Sequence, residues 1–241
     1  MSTESPLGGH ISRRFDNELE DIRNQVLAMG GLVETQVNNG IHALLESDSE
    51  IARQVAEGDH AVNSMEVKID ELCVQILARR QPAASDLRLV IAIIKTITDL
   101  ERIGDQAEKL GAFELELIDE GSTSTDYAKL EHLGNLVSKL LHNALDAFAR
   151  MDDAAALKTI KKDAKIDNEY EALMRQLITV MMEDPRTIKN ALRVSWCARA
   201  LERIGDHATN ICEYVLYLVH GKDVRHIDYK DMKNQIKSGW K

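Results

Sequence analysis

Two acids four residues apart, repeated without change, are the part of this chain best suited to chemistry. The segment Leu100-Glu101-Arg102-Ile103-Gly104-Asp105 returns as Leu201-Glu202-Arg203-Ile204-Gly205-Asp206, 101 residues further on. On a helix each Glu lies one turn below its Asp, so the two carboxylates share a face. Like charges so placed cost an isolated helix about 0.2–0.5 kcal/mol. A cation bound between them would reverse that cost. The second copy extends its stripe with Asn210 and Glu213, at eight and eleven residues beyond Glu202. The expected metal ligands are therefore Glu101, Asp105, Glu202, Asp206 and Asn210. All offer oxygen, which suits Mg²⁺, Ca²⁺, Mn²⁺ or carboxylate-bridged iron. Lys109 stands in the first copy where Asn210 stands in the second, and it is expected to neutralise that site in part, even if Glu108 joins it.

A solvated helix face carrying Glu–Arg pairs would look similar over one copy. Six residues duplicated unchanged weigh against it, and so do Gly104 and Gly205. Glycine in a helix interior costs about 1 kcal/mol relative to alanine, so its recurrence points to close approach by another helix or a ligand. Arg102 and Arg203 fall on a different face and read as salt bridges between bundle helices. Elsewhere, Glu57-Gly58-Asp59-His60 holds one Glu-x-x-His, whereas di-iron bundles need two on separate helices; a surface position is expected. His207 could support the site from behind Asp206. Asp59 and Asn63, matched by Asp163 and Asp167, read equally as a solvated face or a contact surface. No glycine-rich phosphate loop and no nucleophile elbow occur.

The duplication extends beyond the hexapeptide and dictates the elements that must position it. At an offset of 104, Met29-Gly30-Gly31-Leu32-Val33 resembles Leu133-Gly134-Asn135-Leu136-Val137; Asp48 meets Asp152 and Val62 meets Ile166. Pro82 and Pro185 each precede the last long segment of a repeat, where a turn or a helix start tolerates them. Apolar residues step by three and four through Leu19, Ile22, Val26, Met29 and Val33, and again through Val62, Met65, Ile69, Leu72 and Ile76, the period of an amphipathic helix. With 13 glycines and 4% aromatics the composition disfavours a β sandwich. The reading is all-α: two tandem three-helix bundle repeats related by a pseudo-two-fold, residues 10–120 and 125–222, with a flexible polar tail at 223–241. The six long helices fall at about 10–47, 49–79, 85–118, 125–151, 154–182 and 187–220, with Asp126, Asp153 and Thr187 as caps.

A formal charge of −10 argues against nucleic acid and anionic membrane as partners. No run approaches the length of a membrane span, and the polar start does not read as a signal peptide. Three cysteines inside helical patterns read as buried thiols. A cytoplasmic chain with a protein or cationic partner fits best.

These features resemble the PhoU family: Glu-Arg-Ile-Gly-Asp on the third helix of each of two repeats, with Met65–Glu71, Arg80–Arg88 and Met182-Glu183-Asp184 in support, from about Ile11 to Gly221. The resemblance implies a non-enzymatic negative regulator of the phosphate-starvation response, cytoplasmic and held at the inner membrane only through its partners. Those partners would be the ATPase subunit of a high-affinity phosphate importer and a sensor histidine kinase, with self-association into a homodimer. It also implies metal ions (iron, manganese, magnesium, zinc or nickel) on an acid-x-x-x-Asp-x-x-x-Asp/Asn pattern. That pattern is complete at Glu202, Asp206 and Asn210 and stops at Asp105 in the first repeat. A metal-dependent carboxylate-bundle enzyme and a ligand-free helical scaffold are the alternatives. Turnover of phosphate esters would mark the first, and indifference of thermal stability to metal the second.

Overall fold

The computed structural model describes residues 13–119, 127–225 and 227–238. The first repeat consists of α1 (Arg13–Glu46), α2 (Ser49–Ala56), α3 (Asp59–Arg80) and α4 (Ala84–Asp119); the second of α5 (Tyr127–Arg150), α6 (Asp153–Glu183) and α7 (Ile188–His220). A short α8 (Tyr229–Lys237) follows. Among the described residues there is no strand, as the three- and four-residue periodicity requires. Leu19, Ile22, Val26, Met29, Val33 and Val37 line the buried face of α1, all at most 1% exposed. α4 and α7 bear the hexapeptides and pack more extensively against each other than any other pair, so the repeats meet along the two acid-bearing helices.

The duplicated Asp48 and Asp152 are helix caps. Asp48 Oδ1 accepts from the amides of Glu50 and Ile51 at 2.9 and 3.1 Å. Asp152 Oδ1 accepts from Ala155 N at 2.8 Å. In front of each stands a residue with positive φ, Ser47 at 53° and Met151 at 51°, and each aspartate amide reaches back to a carbonyl five residues earlier. That is a left-handed helix stop passing straight into a cap. The cap of α6 is thus Asp152 and not the expected Asp153, whose carboxylate instead meets His220 Nε2 at 2.8 Å. Thr187 begins α7 without a capping bond; its hydroxyl donates backwards to Asp184 O at 2.7 Å. The expected cap Asp126 lies outside the described residues. Pro82 falls in the α3–α4 turn and Pro185 opens a single 3₁₀ turn, Pro185–Thr187, before α7.

Two expectations need correction. The helix expected at 49–79 is two helices, broken at Glu57-Gly58, while its counterpart α6 runs unbroken. Close packing accounts for the difference. A methyl group on Gly111 would sit 2.5 Å from Ala52 O and 3.0 Å from Ala56 N, so α2 rests directly on the α4 backbone. The matching position on α7 is Cys212, whose side chain forbids that approach. The tail is also not a loose polar segment throughout. Val224 and Met232 are buried at 0% and 1% exposure, and α8 packs on α6 with Ile227 and Ile236 half-covered.

Candidate metal centre

Gly104 and Gly205 occupy the same place in the two repeats. A Cβ at Gly104 would lie 3.4 Å from Val62 of α3; one at Gly205 would lie 3.3 Å from Ile166 of α6. Val62 and Ile166 are themselves a duplicated pair. Each glycine therefore lets an acid-bearing helix cross its neighbour closely, which brings the acids of the neighbour into range.

In the second repeat α6 supplies Asp163 and Asp167 one turn apart, and α7 supplies Glu202 and Asp206. Carboxylate oxygens of Asp163, Asp167 and Asp206 lie within 4.8 Å of one another. Glu202 Oε2 is buried and has no hydrogen-bond partner among the described residues; the Asp163 carboxylate is buried too, with the Thr209 hydroxyl, one turn past Asp206, beside it. The other Glu202 oxygen accepts from Arg199 Nη1 at 2.7 Å. Burial first, and then the Asp167 and Asp206 charges, push Asp163 up to about 6. The same order of causes, burial and then a neighbouring carboxylate, raises Asp167, Glu202 and Asp206. Crowded, partly desolvated carboxylates with an orphaned oxygen are what a bound cation relieves. The donor set is all oxygen, so it fits a hard cation or carboxylate-bridged iron, and it fits zinc less well.

Asn210 is turned elsewhere. Its Nδ2 donates to Asp99 Oδ1 on α4 at 3.2 Å. His207, expected behind the site, also faces Asp99, with Nδ1 2.7 Å from the same oxygen, while Tyr214 OH donates to Asp99 Oδ2 at 2.7 Å. Glu213 is pushed up to about 7 by burial and by Asp223. The middle helix thus supplies what the stripe on α7 was expected to supply along its own length. Asp163 and Asp167 had been visible as a duplicated pair, but spacing along one helix could not show a crossing between two.

The first repeat is built from weaker donors. Asn63 takes the place of Asp167, and Gln36 of α1 presents a buried Oε1 with no hydrogen-bond partner while its Nε2 donates to Gly58 O at 2.8 Å. That amide oxygen lies 3.6 Å from where a Cβ on Gly104 would be. α3 adds Glu66 and Asp70, which line a cavity of about 520 Å³ beside Thr98. Burial raises Glu66, with Asp70 and Asp105 adding repulsion. Neither Gln36 nor Glu66 is duplicated, so no repeat singles them out. Lys109 does not reach into this site; it lines a groove facing α7. Arg102 and Arg203 are exposed; the Arg102 charge acts on Glu66 of α3, and that of Arg203 on Glu202 and Asp206 of its own helix. Glu57 and His60 are at the surface, and Cys73, Cys197 and Cys212 are buried and free. No helix among the described residues is long and apolar enough to cross a membrane.

Comparison with known proteins finds one family along nearly the whole chain. The PhoU domain matches twice, over residues 26–112 and 130–215. A phosphate-specific transport system accessory protein PhoU homolog of Pseudomonas aeruginosa is 52% identical over 238 residues, 99% of this chain and 98% of that one. The PhoU accessory protein of Escherichia coli K12 is also 52% identical, over 92% of this chain and 91% of its own. Among solved structures, PhoU from Pseudomonas aeruginosa superposes with a TM-score of 0.84 at 53% identity, covering 86% of this chain and all of that one. The phosphate transport system regulatory protein PhoU of Streptococcus pneumoniae gives 0.81 at 33% identity, covering 87% and 99%.

Proposed function

The chain belongs to the PhoU family, and from that membership we propose that it is a negative regulator of the phosphate-starvation response. In this reading it links a high-affinity phosphate importer to a sensor histidine kinase and restrains uptake when phosphate is plentiful. The observation that carries the reading is 52% identity to a phosphate-transport accessory protein over 99% of the chain. It works in the cytoplasm, at the inner membrane only through its partners, and as a homodimer. It acts by binding and not by turnover. An adaptor shifts a partner between two states only by binding one of them more tightly. The surfaces available for this are the faces of the two bundles away from the α4–α7 seam and the groove beside it.

The carboxylates of Asp163, Asp167, Glu202 and Asp206 would hold the metal in the second repeat. Those of Glu101 and Asp105, with Gln36 Oε1, would hold it in the first. The metal would supply positive charge that lets α6 and α7 keep their acids together at the crossing. Deleting the chain in cells grown with ample phosphate tests the regulatory reading: starvation genes switch on if it holds and stay silent if it does not.

A further inference from the structure

The offset of 101 between the hexapeptides relates the two sides of the α4–α7 seam, and the sides are filled differently. On one side Asp99, 2% exposed, accepts from His207, Asn210 and Tyr214, and Lys95 stands 5.6 Å from the Tyr214 ring centroid. Adding 101 carries Asp99 onto Ala200. The same step takes Lys95 onto Trp196, and the residues around the Asp99 carboxylate correspond to Gln106, Lys109 and Phe113. Phe113 and Trp196 are in contact at 5.5 Å between ring centroids, as Lys95 and Tyr214 are on the other side. Ala200, however, offers no carboxylate. In its place is an open groove of about 160 Å³, with Gln106 at its buried edge and Lys109, Arg199 and Arg203 around it.

We propose that this groove receives an acidic segment of a protein partner, whose carboxylate takes the place that Asp99 fills on the opposite side of the seam. Charge complementarity names the occupant. Lys109 and Arg203 are exposed cations on a chain of net charge −10, and no ion pair engages either among the described residues. Arg199, already bonded to Glu202, adds a third positive charge. The groove is small beside the about 300–1,000 Å³ of sites that take a nucleotide or similar cofactor, and one acidic side chain fits its volume. Trp196, 44% exposed, and Leu192, 40% exposed one turn earlier on α7, provide an apolar lip for a neighbouring side chain of the same segment. An exposed tryptophan ringed by arginines is also the composition of an interface anchor. The proposal rests on the adaptor reading in that it requires a protein partner.

The decisive variant supplies the missing carboxylate from within. Ala200→Asp reproduces on this side the residue that the fold accepts at position 99, and it should keep its circular dichroism and thermal transition. A photocrosslinking residue at position 196 of the full chain, in cells, should capture a partner peptide with Asp or Glu within a few residues of the crosslink, and Ala200→Asp should abolish that capture. With the purified partner so identified, Ala200→Asp and Lys109→Glu should each weaken binding by about 30-fold, the size of a hot-spot loss. Capture of a peptide without an acid, capture only of a second copy of this chain, or no capture above that at exposed Met182 would each overturn the proposal. So would saturable inorganic phosphate binding, by calorimetry, that Ala200→Asp abolishes, because the groove would then serve a free anion. If Ala200→Asp misfolds, Lys109→Glu with Arg203→Glu carries the same decision. Failures of the two readings separate cleanly. Importer ATPase or kinase bound equally by wild type and Ala200→Asp refutes the groove and keeps the adaptor; an acidic peptide captured from an unrelated protein does the reverse.

Discussion

At the residue scale, the acids divide into those that face each other across a helix crossing and those that face something else. Asp163 and Asp206 belong to the first group, so replacing either with Ala should strip bound metal from the purified chain, read by elemental analysis. Asn210 belongs to the second, since its amide is bonded to Asp99. Asn210→Ala should therefore keep its metal and lose stability instead, by about 1 kcal/mol for the broken hydrogen bond. Metal lost equally in all three variants would show that Asn210 is a ligand too and that its amide is not committed to Asp99. Glu114 is a different case: it is fully buried on α4, and burial pushes it up to about 7 against the opposing pull of a hydrogen bond with Ser47. Its folded value lies above the ordinary 4.5, so folding favours the protonated form. The stability it contributes is complete below about 4.5 and is lost as the pH rises through about 7. Urea unfolding of Glu114→Gln should show less loss between those values than wild type, and an unchanged pH profile would place the titration elsewhere.

At the element scale, glycines set how closely helices cross. A Cβ on Gly111 would collide with backbone at 2.5 Å, whereas one on Gly205 would meet the flexible end of Ile166 at 3.3 Å. Gly111→Ala should thus destabilise by about 1–3 kcal/mol, as overpacking does. Gly205→Ala should cost less, because the gain in helix propensity of about 1 kcal/mol offsets the crowding. Denaturant midpoints in the opposite order would contradict this account of the crossings. Much of this level was legible beforehand. The duplicated hexapeptide and the apolar stepping of α1 located the long helices, and a glycine in a helix interior announced a close contact. The break after Ala56 was not legible, because its cause, the missing side chain of Gly111, lies more than fifty positions away in the chain. The caps were off by one at α6 because two adjacent aspartates compete there, and only the backbone turn at Met151 selects Asp152.

For the whole molecule, the pseudo-two-fold is broken where it matters for function. One side of the α4–α7 seam is closed by Asp99 and the other is left open at Ala200; one acid site has four carboxylates and the other draws on amide oxygens. Reading along one repeat at a time identified the acids and the poorer first site, but not the open side of the seam, which arises only when α4 and α7 are laid against each other. The tail escaped notice for a related reason: α8 has nine residues and only Met232 and Ile236 as an apolar pair, too short for a periodicity to stand out. Truncation after Lys222 removes buried Val224 and Met232, and should lower stability by about 3–6 kcal/mol at about 1.5–3 per side chain; an unchanged thermal midpoint would mean the segment is dispensable. The adaptor role is the central claim, and it is tested most directly by titrating the purified full chain, metal-loaded, against the importer's ATPase subunit and the kinase's cytoplasmic domain by calorimetry. The account predicts saturable binding to at least one of them, whereas no binding to either by the folded chain would contradict it.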